Sequence, residues 1–570
     1  MSDGTGLGYR RFLMGVSGLG GLLYGADIGI IAAALLYLSG TINLTIEQKS
    51  LVVAAVLGGS MFSSLAAGVL ADWMGRKKMT IVSGVMFVAS IVMIVLSHGF
   101  TSLFLGRLLQ GMSGGVIAVV MPLYLAECLS ANERGRGTAI FQFMLTFGIV
   151  IAALIGWLYT RQAETAIAHA AGNAVLIQAA ENHAWRSMFL AVIYPGILFF
   201  ATAWALSESP RWLFRKGRFA AARAALLRAA PAAEADIAWK EMEELAREHQ
   251  ETAASGARDS LLRRKYVVPF VLACIVLACT QTTGINSILS FLVIILRQAG
   301  MSARHATQGD VVVKVLNCLM TLVGAALVDR RGRRFLLRIG TGGVVIALAA
   351  AGLIFLRIES RSVDALVRVR AAQVGDSVTL PLDQGAFAGS VGGRPMSLTV
   401  VYTYGHGDYV DTVLSDSDDP VLRIAPDSRQ ARATLTIKRA RYGPIPEEGT
   451  GWLVAACLGL FILAYAFGPG VVVWLMLSEL MPTRIRSTGM GIALLINQGI
   501  STLIAALFLP VVGNYGYFAM FFFWAACTVI YFVTATFFLP ETKGKTLEEI
   551  EKYFEGHGEL SAPRVANAGS

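Results

Sequence analysis

The chain has 570 residues, 55% of them hydrophobic and 15% charged, with a mean hydropathy of +0.61. Soluble domains carry roughly 25% charged residues, so this composition excludes a disordered, disulfide-stapled or coiled-coil chain and describes a protein that crosses a membrane many times. The formal charge of +10 does not point to nucleic acid, because the excess Lys and Arg sit in short loops between apolar runs, where basic residues hold helix ends on the cytoplasmic side.

A bilayer core of roughly 30 Å needs about 20 apolar residues per helix. Runs that meet this begin near residues 12, 51, 79, 101, 136 and 186, then 267, 309, 335, 452, 487 and 516. They predict twelve helices in two sets of six, an all-α membrane fold. The first run, 12–38, is too long for the apolar core of a cleavable signal. Domain boundaries follow from the same pattern: a six-helix bundle over 1–206, an amphipathic cytoplasmic linker over 207–266, and three further spans over 267–358. After these come an insert over 359–447, the last three spans over 448–540 and a cytoplasmic tail over 541–570. Arg76, Lys77, Lys78, Arg134, Arg136, the arginines between 330 and 334, Arg484 and Arg486 fall on one side, whereas the opposite short loops nearly lack them. Both termini are therefore expected in the cytoplasm. The Ala-rich stretch 161–184, outside between the fifth and sixth spans, reads as a short surface helix.

An internal repeat organises the two halves. Gly68-x3-Asp72-x2-Gly75-Arg76-Lys77 follows the second span and Gly324-x4-Asp329-x2-Gly332-Arg333-Arg334 follows the eighth. Glu127-x6-Arg134 closes the fourth span and Glu479-x6-Arg486 the tenth. The two Asp lie 257 positions apart and the two Glu 352, so the second half carries 95 additional residues between them. Within that stretch the helical pattern gives way to short alternating runs at 365–370, 377–382, 396–402, 421–424 and 433–438, punctuated by Gly, Pro and Asp. That pattern predicts a small extracytoplasmic all-β module, sandwich or barrel. His406 and the acidic cluster at 416–419 read as turn residues, with a calcium or sugar-binding role for the cluster as the alternative. The six cysteines, 128, 274, 279, 318, 457 and 527, form no CxxC pair, and neither a disulfide nor a metal site is expected.

Ionisable groups inside membrane helices are costly and functional by default. Asp27 lies about 22 Å along the first span and Arg107 about 9 Å into the oppositely directed fourth, so their depths match. Paired, they would form a proton switch in which proton uptake breaks the pair; a static salt bridge is the alternative. Polar side chains in otherwise apolar spans are the ligand candidates: Gln142, Gln281, Asn286, Asn317, Asn497 and Gln498, with Trp474 as a flat apolar face. Amides offer donors and acceptors without net charge and suit a neutral polyhydroxylated ligand. Thr282-Thr283-Gly284 is a weak helix former that could break the seventh span and bring Gln281 and Asn286 to one cavity, and Gly468-Pro469-Gly470 could hinge the tenth. Asp72, Arg76, Glu127 and Arg134 in one half, and Asp329, Arg333, Glu479 and Arg486 in the other, form candidate charge networks at the cytoplasmic helix ends. Nothing resembles a nucleophile–base set, a phosphate loop or a metal cluster, so no enzyme and no resident cofactor is expected.

The two Gly-Asp-Gly-Arg loops resemble the repeated motif of the major facilitator superfamily. Gly21-Leu-Leu-Tyr-Gly-Ala-Asp-Ile-Gly, Gly106-Arg107, Pro122-x-Tyr124-x2-Glu127, Arg134-Gly135, Glu208-Ser-Pro-Arg-Trp-Leu213, Gln281-x2-Gly284-Ile-Asn286 and Pro540-Glu-Thr-Lys-Gly-Lys-Thr546 are similar to its sugar porter family. The resemblance implies sugar contacts at Gln142, Gln281, Asn286, Asn317, Trp474 and Asn497, and matches Asp27 to the first-helix acid of the family's proton symporters, with Arg107 at its partner's position. The sequence departs from the pattern at Thr280, Ser290, Ala466 and Gln498, which implies a wider and less aromatic cavity and leaves a polyol or disaccharide open. The expectation is a monomeric proton-coupled importer of a neutral sugar or polyol in a bacterial cytoplasmic membrane, with membrane lipid and no nucleic acid as partner. A uniporter, or a membrane sugar receptor using the insert, is the alternative; the insert is also a candidate contact for a cell-envelope partner.

Overall fold

The computed structural model describes residues 3–38, 40–129, 131–254, 264–382, 395–405, 407–416, 420–426, 433–481, 486–543, 545, 549–550 and 553–554. His406, Asp418 and Asp419 lie outside the described residues, as do the side chains of Arg134, Asp329 and Arg486.

Among the described residues twelve helices are long and apolar enough to cross a membrane: Gly8–Leu38, Ile46–Met74, Arg76–Val95, Phe100–Cys128, Gly135–His169, Ala174–Trp204, Tyr266–Gln298, Ala303–Val328, Arg333–Ser360, Glu448–Leu477, Gly489–Tyr515 and Tyr517–Phe538, here helices 1 to 12. Each is long enough for a roughly 30 Å core at about 1.5 Å per residue. Helices in lipid gain little from apolar surface alone and associate where small residues let backbones meet. Helices 1 and 5 illustrate this: a side chain at Gly25 would collide with the Leu145 carbonyl, and one at Gly148 with that of Leu22.

The stretch 161–184 is not a separate surface helix. Helix 5 runs on to His169 and helix 6 begins at Ala174, with a tight turn at Gly172 (φ +81°) between them. The reason is composition: alanines continue the helical hydrogen bonding after the apolar run ends, and Asn173 caps helix 6 by accepting from the backbone N–H groups of Val175 and Leu176.

Four spans are broken. Helix 1 changes segment at Ile30, helix 6 at Val192, helix 7 between Thr282 and Ile285, and helix 10 at Gly468. The linker forms three helices, Pro210–Arg215, Phe219–Ala229 and Ala232–Ala254, which dock on the first half: Arg10 bonds the Ala229 carbonyl and Glu234, and the Trp212 indole donates to the Asp72 carbonyl at 2.8 Å. This face, with the arginine-rich loops, is called the basic end below.

Among the described residues between helices 9 and 10 lie seven strands, β1 (Val363–Asp364), β2 (Gln373–Val374), β3 (Ser377–Pro381), β4 (Met396–Thr403), β5 (Asp408–Leu414), β6 (Val421–Ile424) and β7 (Thr436–Pro444). The insert is not all-β: the run 365–370, expected as a strand, is instead a short helix, Leu366–Ala371, whose Val369 turns into the core. The strands form two antiparallel sheets, ordered β1-β7-β4-β5 and β2-β3-β6, over a shared core that includes Val369, Leu398, Val400, Leu422 and Ile437. The module touches both halves of the bundle at the insert end. The Asp408 backbone N–H donates to Glu47, in the first turn of helix 2, at 3.0 Å, and Arg439 donates to the Gly513 carbonyl near the end of helix 11 at 2.8 Å.

Candidate functional site

Asp27 sits near the end of the first segment of helix 1, fully buried, and Arg107 and Gln110 lie one turn apart on helix 4, equally buried. The expected direct pair is not what the structure shows. Gln110 stands between the two charges: its Nε2 donates to Asp27 Oδ1 at 2.7 Å and its Oε1 accepts from Arg107 Nη1 at 2.6 Å. The guanidinium also lies over the Phe189 ring, 5.6 Å from its centroid. An amide is suited to this place because it offers one donor and one acceptor on the same plane. Asp27 Oδ2 is buried without a hydrogen-bond partner, so one carboxylate oxygen is held and the other is vacant.

The break in helix 7 does what the Thr-Thr-Gly run suggests. Gly284 takes φ +82°, a left-handed conformation that restarts the helix in a new direction. Across the break Asn286 Nδ2 donates to Gln281 Oε1 at 3.0 Å and to Ser501 Oγ at 2.8 Å, while Gln281 Nε2 donates to Asn497 Oδ1 at 3.2 Å. Asn497 in turn donates to the Leu277 carbonyl at 3.0 Å. Three of the anticipated amides thus form one uncharged network between helices 7 and 11, joined by Ser501, which the sequence reading did not single out. Gln498 lies near the Tyr24 hydroxyl of the other half, one turn before Asp27. Gln142, Asn317 and Trp474 lie outside the network; Trp474 is 47% exposed.

The basic end carries the same construction twice. In the first half Arg76, 1% exposed, bonds Asp72 at 2.7 Å, Glu127 at 2.8 Å and the Ala71 carbonyl at 2.8 Å, and Arg215 of the linker joins Asp72 and Glu127. Ser209 donates to Glu127, and Glu208 accepts from the N–H groups of Arg76 and Lys77 at the start of helix 3. In the second half Arg333 bonds Glu479 at 2.9 Å, Thr542 donates to Glu479 at 2.6 Å, and Glu541 accepts from the N–H groups of Arg333 and Arg334 at 3.0 Å each. A carboxylate at a helix N-terminus satisfies open N–H groups and favours the dipole. Glu208-Ser209 and Glu541-Thr542 are therefore a second repeated element. In sequence it is an acid followed by a hydroxyl, two residues after a leucine (Leu206, Leu539), beyond the sixth and twelfth spans; both stretches stand out singly, but the residues that follow differ and hide the repeat.

The halves meet from mid-depth toward the insert end. Thr146 of helix 5 reaches Cys318 of helix 8 at 3.5 Å, Leu509 of helix 11 donates to Ser50 of helix 2 at 3.1 Å, and Ala505 packs on Ala54 and Leu57. A cleft of about 310 Å³ lined by Arg11, Met14, Gly18, Ile140 and Met144 opens between helices 1 and 5 near the basic end.

Two six-helix halves carrying repeated charge networks, with uncharged amides at a broken helix within the bundle, define a multi-pass transporter of the major facilitator type. The family profile described as "Sugar (and other) transporter" matches residues 13–390 and 433–554, and the chain belongs to that family. The unmatched stretch between lies within the insert. The glucose transporter GlcP of Staphylococcus epidermidis is 25% identical, covering 95% of this chain and 96% of its own length. The proton myo-inositol cotransporter hmit-1.1 of Caenorhabditis elegans is 27% identical over 95% of this chain and 89% of its own. Among solved structures, the xylose transporter XylE from E. coli in a partially occluded inward open conformation is similar with a TM-score of 0.66 at 19% identity, covering 95% of this chain and all of that one. These relatives are transporters, not enzymes.

Proposed function

We propose that the protein imports a neutral sugar or polyol together with a proton, by alternating access across a bacterial cytoplasmic membrane with the basic end in the cytoplasm. The observation that carries the coupling is the Asp27–Gln110–Arg107 chain. One carboxylate oxygen is bonded and the other is buried and vacant, so a proton has a place to bind and its binding alters a hydrogen-bonded link between helices 1 and 4. The solute side rests on the uncharged Gln281–Asn286–Asn497–Ser501 network, whose donors and acceptors can exchange their mutual bonds for hydroxyl groups without exposing a charge. Gln142, Asn317, Trp474 and Gln498 are assigned to the same cavity as it reorganises around solute. The contacts between the halves toward the insert end support a state closed on that side. The relatives named as a proton–inositol cotransporter and a glucose transporter bracket the solute class and the coupling.

Uptake of labelled sugars and polyols into proteoliposomes, with and without an inward proton gradient, tests this for the wild type and Asp27→Asn. Concentrative uptake that requires both the gradient and Asp27 is the expected result. Equilibrating flux indifferent to both would make the protein a uniporter, with the Gln110-bridged chain a static tie.

A further inference from the structure

Helix 8 carries an ion pair that coupling through Asp27 does not use. Lys314 Nζ donates to Asp310 Oδ2, one turn earlier on the same helix, at 2.8 Å, and to the Gly29 carbonyl of helix 1, in the other half, at 3.1 Å. The side chains are 0% and 2% exposed. We propose that Lys314 and Asp310 are positioning residues for the transport cycle: a switchable tie between the halves that sets the balance between states closed and open at the insert end.

Gly29 is the last residue of the first helix 1 segment, so its carbonyl lies at the negative end of a helix dipole, where a cation is favoured. The approach is close because helix 1 is thin there: Gly29 packs against Ala152 and Ile149 of helix 5, and Gly156 of helix 5 faces Ala33. Helices 1, 5 and 8 therefore meet with the ammonium as the polar group joining the first to the third. Three carboxylates on other helices have partners of their own: Asp27 bonds Gln110 through one oxygen, Glu164 of helix 5 accepts from Tyr37 at 2.8 Å, and Glu448 of helix 10 pairs with His305. Asp310 is thus the counter-ion of Lys314.

The tie is built to be broken. Asp310 Oδ1 is buried and has no partner. A buried pair with an unsatisfied oxygen recovers little of the desolvation it has undergone, and the bond to Gly29 offsets part of that deficit only while helix 1 is in place. When the halves part at the insert end, water reaches both charges and replaces the carbonyl. The closed state has the cross-half bond and the open state has hydration, so neither is overwhelmingly favoured. A fully apolar contact would bias the end shut. One charge without the other would bias it open, since a bare buried charge is far more costly than a hydrated one. The idea rests on the alternating-access part of the functional reading and not on the identity of the solute or on proton coupling.

The test is the rate at which a membrane-impermeant maleimide, applied from the insert side at pH 8, labels an Ala505→Cys reporter, relative to the same chain without the reporter. Ala505 is fully buried between helices 2 and 11 and becomes reachable when the insert end opens. Lys314→Met and Asp310→Asn are each expected to raise the rate by on the order of tenfold or more, because each leaves one charge uncompensated in the closed state. The double variant, with no charge to hydrate, is expected to return to the wild-type rate or below it. If both single variants, eluting as folded monodisperse protein, label at the wild-type rate, or the double variant labels as fast as they do, the tie is overturned; if one single variant does not fold, the other carries the comparison. Labelling needs neither solute nor gradient, so failure here is distinguishable from a wild type that moves no sugar in the uptake assay.

Discussion

Substitution of Gly284 by Ala tests whether the break in helix 7 is what assembles the amide network. Two costs can be worked out. The residue sits at φ +82°, where a side chain disfavours the backbone by about 1 to 2 kcal/mol. The new Cβ would also enter the van der Waals surface of the Trp524 ring, with Cζ2 at 2.8 Å. That ring cannot swing away, because it stacks on Phe508 at 5.6 Å with an interplanar angle of 4° and meets Phe521 edge-on at 5.6 Å. Overpacking of this kind costs about 1 to 3 kcal/mol, giving roughly 2 to 5 kcal/mol in all. The expected outcome is a marked fall in heat resistance of the purified protein and a weaker apparent affinity for solute, because Gln281 and Asn286 are displaced from one another. A double-mutant cycle with Trp524→Leu isolates the second cost: the pair should be less damaging than the sum by about 1 to 3 kcal/mol, with the dihedral cost remaining. Strict additivity, or a Gly284→Ala protein with unchanged affinity and heat resistance, would refute the reasoning.

Gln110→Leu removes the bridge between Asp27 and Arg107 without touching either charge; gradient-driven accumulation should fall at least tenfold while protein yield is retained, read by uptake at fixed gradient. Arg76→Ala removes the buried guanidinium from Asp72, Glu127 and the Ala71 carbonyl, leaving Glu127 to Arg215 and Ser209, and should destabilise by about 1 to 3 kcal/mol, whereas Arg333→Ala should cost less, because the side chains of Arg333 and Glu479 are 11% and 22% exposed; thermal unfolding in detergent compares the two. Ser501→Ala deletes the hydroxyl that Asn286 bonds at 2.8 Å, and should raise KM for solute several-fold with little change in maximal rate, read by initial-rate uptake.

What the sequence made legible divides along physical lines. The spans were visible because burying twenty residues in lipid demands apolar side chains whatever the packing, and the helix 7 break was visible because Thr-Thr-Gly weakens a helix by itself. The break in helix 1 at Ile30 was not: no helix breaker stands between Gly29 and Ala34 beyond the glycine, and packing against helices 5 and 7 decides it. Asp27 and Arg107 stood out as charges, but Gln110 did not, since one amide three residues from an arginine looks like helix–helix glue until the partner helix is placed. Asp310 and Lys314 escaped notice for another reason. They lie near the start of an apolar run, where charges ordinarily mark the water boundary, and their burial comes from helices 1 and 5 closing over them.

The pairing of β1 with β7 has a consequence for how such a chain could arise. Val363 lies opposite Tyr442 and Asp364 opposite Arg441, and a side chain at Gly443 would touch Ser362. The insert therefore leaves the bundle and returns to it at a single point, as an appended module does. A module attached in this manner is removable by a single deletion: joining 362 to 443 through a few flexible residues would regenerate an uninterrupted twelve-helix chain, at the loss of the bonds from Asp408 to Glu47 and from Arg439 to Gly513.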